Sequence, residues 1–295
     1  MKRTIGILLF LAIGLSVYSQ SLLWKVSGNG LIKPSYVFGT HHLAPLSVID
    51  SIQGLKKAFE ETTQVIGEVE MKNIQSPEIV QAMQKAIMIQ NDTTLITLLS
   101  KEDFEHANIL TKSLMQLDMN QAPKLKPSFL CTTLTVLTYM KEFPGFNPQE
   151  QLDTYFQAQG TEKGKSVSGL ETIDFQFNLL YGSSSLKRQA EQFMCLVNNS
   201  DQIVSLAKEL NQAYFNYDLM KMLEISERKE GKGCDALPGE MEALIDKRNS
   251  DWADKLPALI KEKSSFIAVG ALHLPGKNGL LALLKNLGYT VEPVK

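Results

Sequence analysis

Histidine and cysteine are both scarce in this 295-residue chain, at four and three residues. The chain has no Gly-x-Ser-x-Gly elbow, no His-Glu-x-x-His helix and no glycine-rich phosphate loop, so serine hydrolase, zincin and nucleotide-binding readings lose their sequence support. It has no basic run interleaved with aromatics, which leaves no case for a nucleic-acid partner. Past the first twenty residues, no stretch is long and apolar enough to span a bilayer. The cysteines are Cys131, Cys195 and Cys234, so one thiol is left over even if two of them pair. None sits beside a histidine, and a nucleophilic cysteine wants a nearby base; buried thiols or one incidental disulfide is the reading.

The first long apolar run follows Lys2 and Arg3, covers Ile5 to Val17, and ends among Ser16, Ser19 and Ser21. This is the pattern of a signal peptide over 1–19, with Val17 and Ser19 at the small-residue positions and Gln20 as the new terminus. The run is short for an uncleaved anchor. The expectation is a secreted or periplasmic protein with no membrane span after cleavage. Removing Lys2 and Arg3 changes the charge balance from 30 against 32 to 28 against 32, a net charge near −4. The remaining residues, 20–295, are enough for one large domain with a sizeable insertion, and 44% hydrophobic content can fill its core.

Three of the four histidines fall in two similar frames. Tyr36-Val37-Phe38-Gly39-Thr40-His41-His42 is echoed by Phe266-Ile267-Ala268-Val269-Gly270-Ala271-Leu272-His273. Each is an apolar, strand-like run followed by Gly-x-x-His. The carboxyl ends of parallel strands form the mouth of a crevice, and a glycine at the exit (Gly39, Gly270) lets the chain turn sharply and aim an imidazole into it. The flanks repeat as well. The first frame is followed by helical periodicity over Ile52 to Glu61 and a strand over Gln64 to Glu70. The second is followed by a helix from about Gly279 to Asn286, a stop at Gly288 and a strand from Tyr289 to Glu292. Leu22–Val26, turning through Ser27-Gly28-Asn29-Gly30, pairs with Tyr36–Phe38 as a hairpin.

Between these halves, roughly 76–263 is dominated by helical patterns: Ile79–Ile89, Glu102–Leu114 behind the cap Ser100, Phe129–Met140, Gln149–Gln159, Leu186–Val197, Ile203–Phe215 and Leu219–Arg228. A short strand-like break at Lys165–Leu170 interrupts them. The fold expected is α/β: a mixed or parallel central sheet built from two β-α-β halves, covered by a large helical insertion.

Two histidines and a carboxylate form a common hydrolytic metal set, since imidazole suits zinc, iron, cobalt and manganese, and bound metal activates water. His42 and His273 match in the repeat, leaving His41 as a supporting or substrate contact. Glu68 ends a strand at the same sheet edge, and Glu70 lies two residues on, on the same face. The plainer alternative for both glutamates is a solvated strand end. His106, next to Glu105 in a helical pattern, reads as a surface side chain.

Beyond these frames, Leu23-Trp24-Lys25-Val26, Leu152-Asp153-Thr154-Tyr155-Phe156, Gly169-Leu170-Glu171-Thr172 with Gln176, Arg248-Asn249 and Gly276 with Gly279 follow in a specific order. In that order the chain resembles the TraB/GumN family, which includes the Tiki-like metalloproteases, over nearly its whole mature length. The resemblance implies a sheet flanked by helices and metal-dependent cleavage of a peptide or small acyl substrate, with manganese or cobalt associated and zinc as a further candidate. It makes His42, His273 and Glu68 the metal or acid-base set, and Arg248 a cation that holds a carboxylate or steadies an oxyanion. It makes Glu171 either a partner that orients Arg248 or a histidine, or an ordinary helix N-terminal glutamate. Related folds bind haem or hydrolyse without metal. The alternatives are therefore a non-catalytic peptide- or haem-binding protein and a metal-free histidine–glutamate hydrolase.

Overall fold

The computed structural model describes residues 20–72, 74–229, 231 and 234–295, so the signal peptide expected over 1–19 lies outside the described residues. The two apolar runs around the glycine-rich turn form a hairpin, β1 (Leu23–Ser27) against β2 (Ser35–Thr40), with Trp24 opposite Val37. The helix expected over Ile52–Glu61 is α2 (Leu55–Glu61), which starts after Gly54 at φ +78° and is preceded by a separate short helix, α1 (Val48–Ser51). Then comes β3 (Gln64–Gly67).

The helical segment follows as α3 (Pro77–Ala86), α4 (Leu95–Leu98), α5 (Lys101–Met115), α6 (Pro127–Glu142) and α7 (Leu152–Glu162), then β4 (Ser166–Gly169). It continues as α8 (Ile173–Gly182), α9 (Leu186–Asn198), α10 (Ser200–Phe215) and α11 (Leu219–Ser226). A π-helical turn, Glu242–Asp246, runs straight into α12 (Lys247–Glu262). Ser100 caps α5 by accepting from the Asp103 N–H at 3.1 Å, as its position before the apolar period predicts. The chain closes with β5 (Ser265–Gly270), a 3₁₀ turn over Ala271–His273, α13 (Leu280–Asn286) and β6 (Thr290–Pro293).

The strands form one six-stranded mixed sheet in the order β4-β3-β5-β2-β1-β6. β4, β3, β5 and β2 are parallel, and β1 runs antiparallel to both its neighbours. The two β-α-β halves therefore interleave: β5 of the second half inserts between β2 and β3 of the first. All six residues of β2 and the first five of β5 are buried, as strands covered on both faces must be.

Two apolar clusters result. The larger packs the sheet against α2, α7, α10, α12 and α13 through Phe38, Phe59, Phe156, Tyr214, Trp252, Phe266 and Leu284. The second lies within the helical segment, where Phe104, Leu130, Leu134 and Phe193 join α5, α6 and α9. Cys195 on α9 is bonded to Cys234, and Cys131 is free. No helix among the described residues is long and apolar enough to cross a membrane.

Candidate active site

Three parallel strands deliver the predicted residues to one end of the sheet. β2 ends at Thr40 and is followed by His41 and His42; β3 ends at Gly67 and is followed by Glu68; β5 ends at Gly270 and leads into His273. The two histidine frames are one residue out of step, because Gly39 pairs with Val269 and Thr40 with Gly270. Gly39 is needed for close approach: a Cβ there would stand 3.1 Å from the Ala271 Cα and 3.2 Å from the Leu274 side chain.

The histidines end in different surroundings. His273 is buried at 4% exposure on the 3₁₀ turn, with its ring against Trp252. His42 sits on the turn after β2 with a side chain 59% exposed.

Arg248 is the hub. It reaches the sheet end from the first turn of α12, directly after the π-helical turn, a local widening that often marks functional sites. All five of its N–H donors are committed. Nε donates to Glu171 Oε2 at 3.1 Å, and Nη2 to Glu171 Oε1 at 2.6 Å and Glu68 Oε2 at 2.5 Å. Nη1 donates to the Leu244 carbonyl at 3.1 Å and to His273 Nε2 at 3.0 Å. Glu68 Oε1 accepts the Gly270 backbone N–H at 2.8 Å and lies 3.9 Å from His273 Nε2. Gln176 Nε2 donates to both Glu68 and Glu171, and Trp252 Nε1 donates to Glu171.

These bonds fix the proton on His273. A guanidinium can only donate, so Nε2 carries the lone pair and Nδ1–H donates to Asn249 Oδ1 at 2.7 Å. Asn249 is oriented for this because its amide nitrogen donates to the carbonyls of His273 and Asn278. Burial pushes His273 down to about 4, against the opposing pull of Glu68, so the ring is neutral at pH 7. Burial alone raises the Glu68 carboxyl, but its interactions with His273, Arg248 and His42 and the Gly270 N–H outweigh it and hold the group below its ordinary range; with His273 neutral at pH 7, the attraction there comes from Arg248 and His42. Arg248 is the permanent charge among them.

His42 is in the opposite state. Its Nδ1 meets Asp153 Oδ2 at 3.1 Å, and that carboxylate raises the imidazole to about 9, an attraction that water around the exposed ring screens in part. Glu68 and Arg248 both act on His42 electrostatically, and His42 acts on His273, so the two imidazoles at this end of the sheet are one charged and one neutral. His41 is turned into packing, with Nε2 against Asn211 Oδ1 at 2.8 Å and its ring beside Tyr214; burial lowers it to about 4.

Glu171, at the end of β4, is locked to Arg248. Glu70 is exposed and has no part in this network. A cavity of about 660 Å³ lies beyond His273, lined by Trp24, Leu219, Leu274 and Leu281, and includes none of the network. Sequence reasoning gave no role to Asp153, Asn249, Gln176 or Trp252.

A mixed sheet whose parallel strands end on a histidine–glutamate–arginine cluster, with helices packed above it, defines an α/β protein with a crevice site at the strand ends. The chain belongs to the TraB/PrgY/gumN family, whose family model matches residues 22–293. It is similar to the metalloprotease TIKI2 of Danio rerio, at 23% identity over 92% of this chain and 61% of the relative. It is also similar to TIKI2 of Xenopus tropicalis, at 24% over 92% and 60%, and to the metalloprotease TIKI1 of Danio rerio, at 24% over 92% and 63%. The chain thus spans about three fifths of the length of these relatives. No solved structure gives a significant match.

Proposed function

We propose that this chain is a secreted or periplasmic hydrolase of peptide or related acyl bonds, working by acid-base chemistry at the crevice between His42 and Glu68. One observation carries the reading: Glu68, held by the Gly270 N–H and Arg248, lies 3.9 Å from the His273 ring at the same sheet end where His42 follows β2, and burial and neighbouring charge drive the two imidazoles to opposite protonation states. Environments that push like groups to opposite protonation states are how acid and base roles are divided. Glu68 Oε1 accepts one hydrogen bond and retains a lone pair to take a proton from water. His42 presents Nε2 toward the crevice and donates a proton to the departing amine or alcohol. Arg248 has no N–H left for a substrate oxyanion, so its part is to keep Glu68 ionised and His273 in its Nδ1–H form.

The relatives' names make a divalent ion the expected cofactor, with manganese, cobalt and zinc as candidates. Carboxylate and imidazole are suitable donor types. As placed, however, His273 does not fit an ion, because Arg248 takes the lone pair of its Nε2; Arg248 also holds one oxygen of Glu68, so that of the expected set Glu68 Oε1 and His42 Nε2 are the donors left open. Among the described residues, no three His, Cys, Asp or Glu side chains gather as a metal-holding group.

The test is to incubate residues 20–295 with a diverse peptide mixture, with and without chelator and with each of the three metals, and to read new termini by mass spectrometry. Cleavage that survives chelation and falls at least tenfold in Glu68→Gln and in His42→Ala is expected. A strict metal requirement would overturn the acid-base mechanism. Absence of products under every condition, with a peptide or haem recovered intact on the protein, would replace the hydrolase with a binding role.

A further inference from the structure

Asp153 lies in the first turn of α7, and both its carboxylate oxygens are directed at the residues that follow Gly39. Thr40 Oγ1 donates to Oδ1 at 2.9 Å, and His42 Nδ1 meets Oδ2 at 3.1 Å. Thr40 is the last residue of β2 and is buried, so the bond from it fixes where the carboxylate stands relative to the sheet. Asp153 itself is largely covered, with its side chain 13% exposed. His42 Nε2 has no hydrogen-bond partner among the described residues, and its side chain is 59% exposed.

The same helix also fixes Glu68. Gln157, one turn after Asp153 on the same face of α7, donates from Nε2 to the Val69 carbonyl at 2.8 Å and accepts the Met71 N–H on Oε1 at 2.9 Å. Those paired bonds act as a short ladder rung against the segment that carries Glu68. Gly67 leaves the room that the Gln157 amide occupies. One face of one helix thus sets the strand-end segments of both β2 and β3.

We propose that Asp153 is the positioning residue for His42: it holds the ring by Nδ1 and so presents Nε2 as the reacting atom, from the helix that also holds the Glu68 segment. The proposal deepens the hydrolase reading and rests on it for its catalytic consequence; the orientation of the ring stands without it. A carboxylate on one imidazole nitrogen selects the proton position on that ring, and with it the atom left for chemistry. Among the described residues no other hydrogen bond holds His42; His41 is engaged by Asn211, and His273 by Arg248 and Asn249.

Three variants separate this role from a merely structural one. Asp153→Ala removes the acceptor, Asp153→Asn keeps an acceptor without the charge, and Thr40→Val removes only the bond that anchors the carboxylate. Long-range proton–nitrogen NMR of the His42 ring, recorded above its titration midpoint, is expected to show the Nδ1–H form in the wild type and in Asp153→Asn. In Asp153→Ala the Nε2–H form should predominate, with the signals of His273 unchanged as proof of fold. On a cleaved peptide, Asp153→Ala should lower kcat tenfold or more with KM within twofold, Asp153→Asn should recover part of the loss, and Thr40→Val should fall between. A folded Asp153→Ala protein with His42 still in the Nδ1–H form would overturn the assignment. So would an unchanged kcat in that variant. If the wild type cleaves nothing, the hydrolase reading fails, and the ring's proton position still decides the role of Asp153.

Discussion

Replacing Arg248 with alanine is expected to lower the stability of the folded chain by about 3–5 kcal/mol, measured by urea denaturation at pH 7. The reason is what remains after the guanidinium has gone. Glu68 and Glu171 have side chains 10% and 6% exposed, and three of their four oxygens bond Arg248. Two carboxylates would then lie near each other in a poorly solvated site with one amide, one indole and one backbone N–H between them. Arg248→Lys should recover little, because an ammonium has three donors on a point and cannot reach five acceptors arranged around a plane. The triple variant Arg248→Met, Glu68→Gln, Glu171→Gln should regain much of the loss, since the buried charges are removed together. A loss below about 1 kcal/mol in Arg248→Ala would mean that water reaches the carboxylates and that the network is not sealed.

Acid should destabilise the protein through two of its histidines, the buried His273 and the half-buried His41, well before the bulk of its carboxylates titrate. His273 and His41 are each held near 4 in the folded chain, against an ordinary value of 6.5. Between those limits the unfolded chain binds more protons than the folded one, so stability rises with pH across that window. The contribution is complete above about 6.5 and is lost as pH falls toward 4. For His273 alone it amounts to about 3 kcal/mol at full development, by order of magnitude. His42 runs the other way: its folded value is raised, so the stability it adds is present below 6.5 and fades as pH rises through the raised value. Its exposed ring makes that effect small. Denaturant midpoints at pH 7, 5.5 and 4.5 should fall steeply in the wild type and distinctly less steeply in His273→Gln. Equal slopes in the two proteins would show that His273 is protonated without cost in the folded state.

The sheet was legible because its strands are short apolar runs with glycine at their exits, and the residues at those exits, His42, Glu68 and His273, could be named from local pattern alone. The interleaving of β5 between β2 and β3 was not legible, since nothing local to Phe266–Val269 tells which strands will flank it. Gln157 escaped, and Asp153 and Gln176 were named only as letters of the family pattern with no role, for a related reason: a polar side chain on a helix reads the same whether it faces water or a strand end. α12 was missed altogether. Pro257 in its interior and the polar run Asn249-Ser250-Asp251 hide the period, although Arg248, Trp252, Leu256 and Ile260 recur every fourth residue on its buried face. An arginine and an asparagine at the head of an otherwise apolar stripe was the available signal, because a buried cation demands partners. The equivalence of the two Gly-x-x-His frames also hid a difference. The one-residue offset and the 3₁₀ turn bury the second imidazole and leave the first open, and neither follows from letters that match.

The place of β5 in the strand order also bears on when the pocket comes into being. Ser265 docks on Ser35 across a separation of 230 residues, and Gly270 supplies the N–H that fixes Glu68. Until that late segment arrives, β2 and β3 have no neighbour to join them, and the glutamate lacks both its backbone donor and the arginine. Closing so long a loop is slow. In a chain emerging from its N-terminus, the cluster at the strand ends is therefore among the last parts of the molecule to be completed.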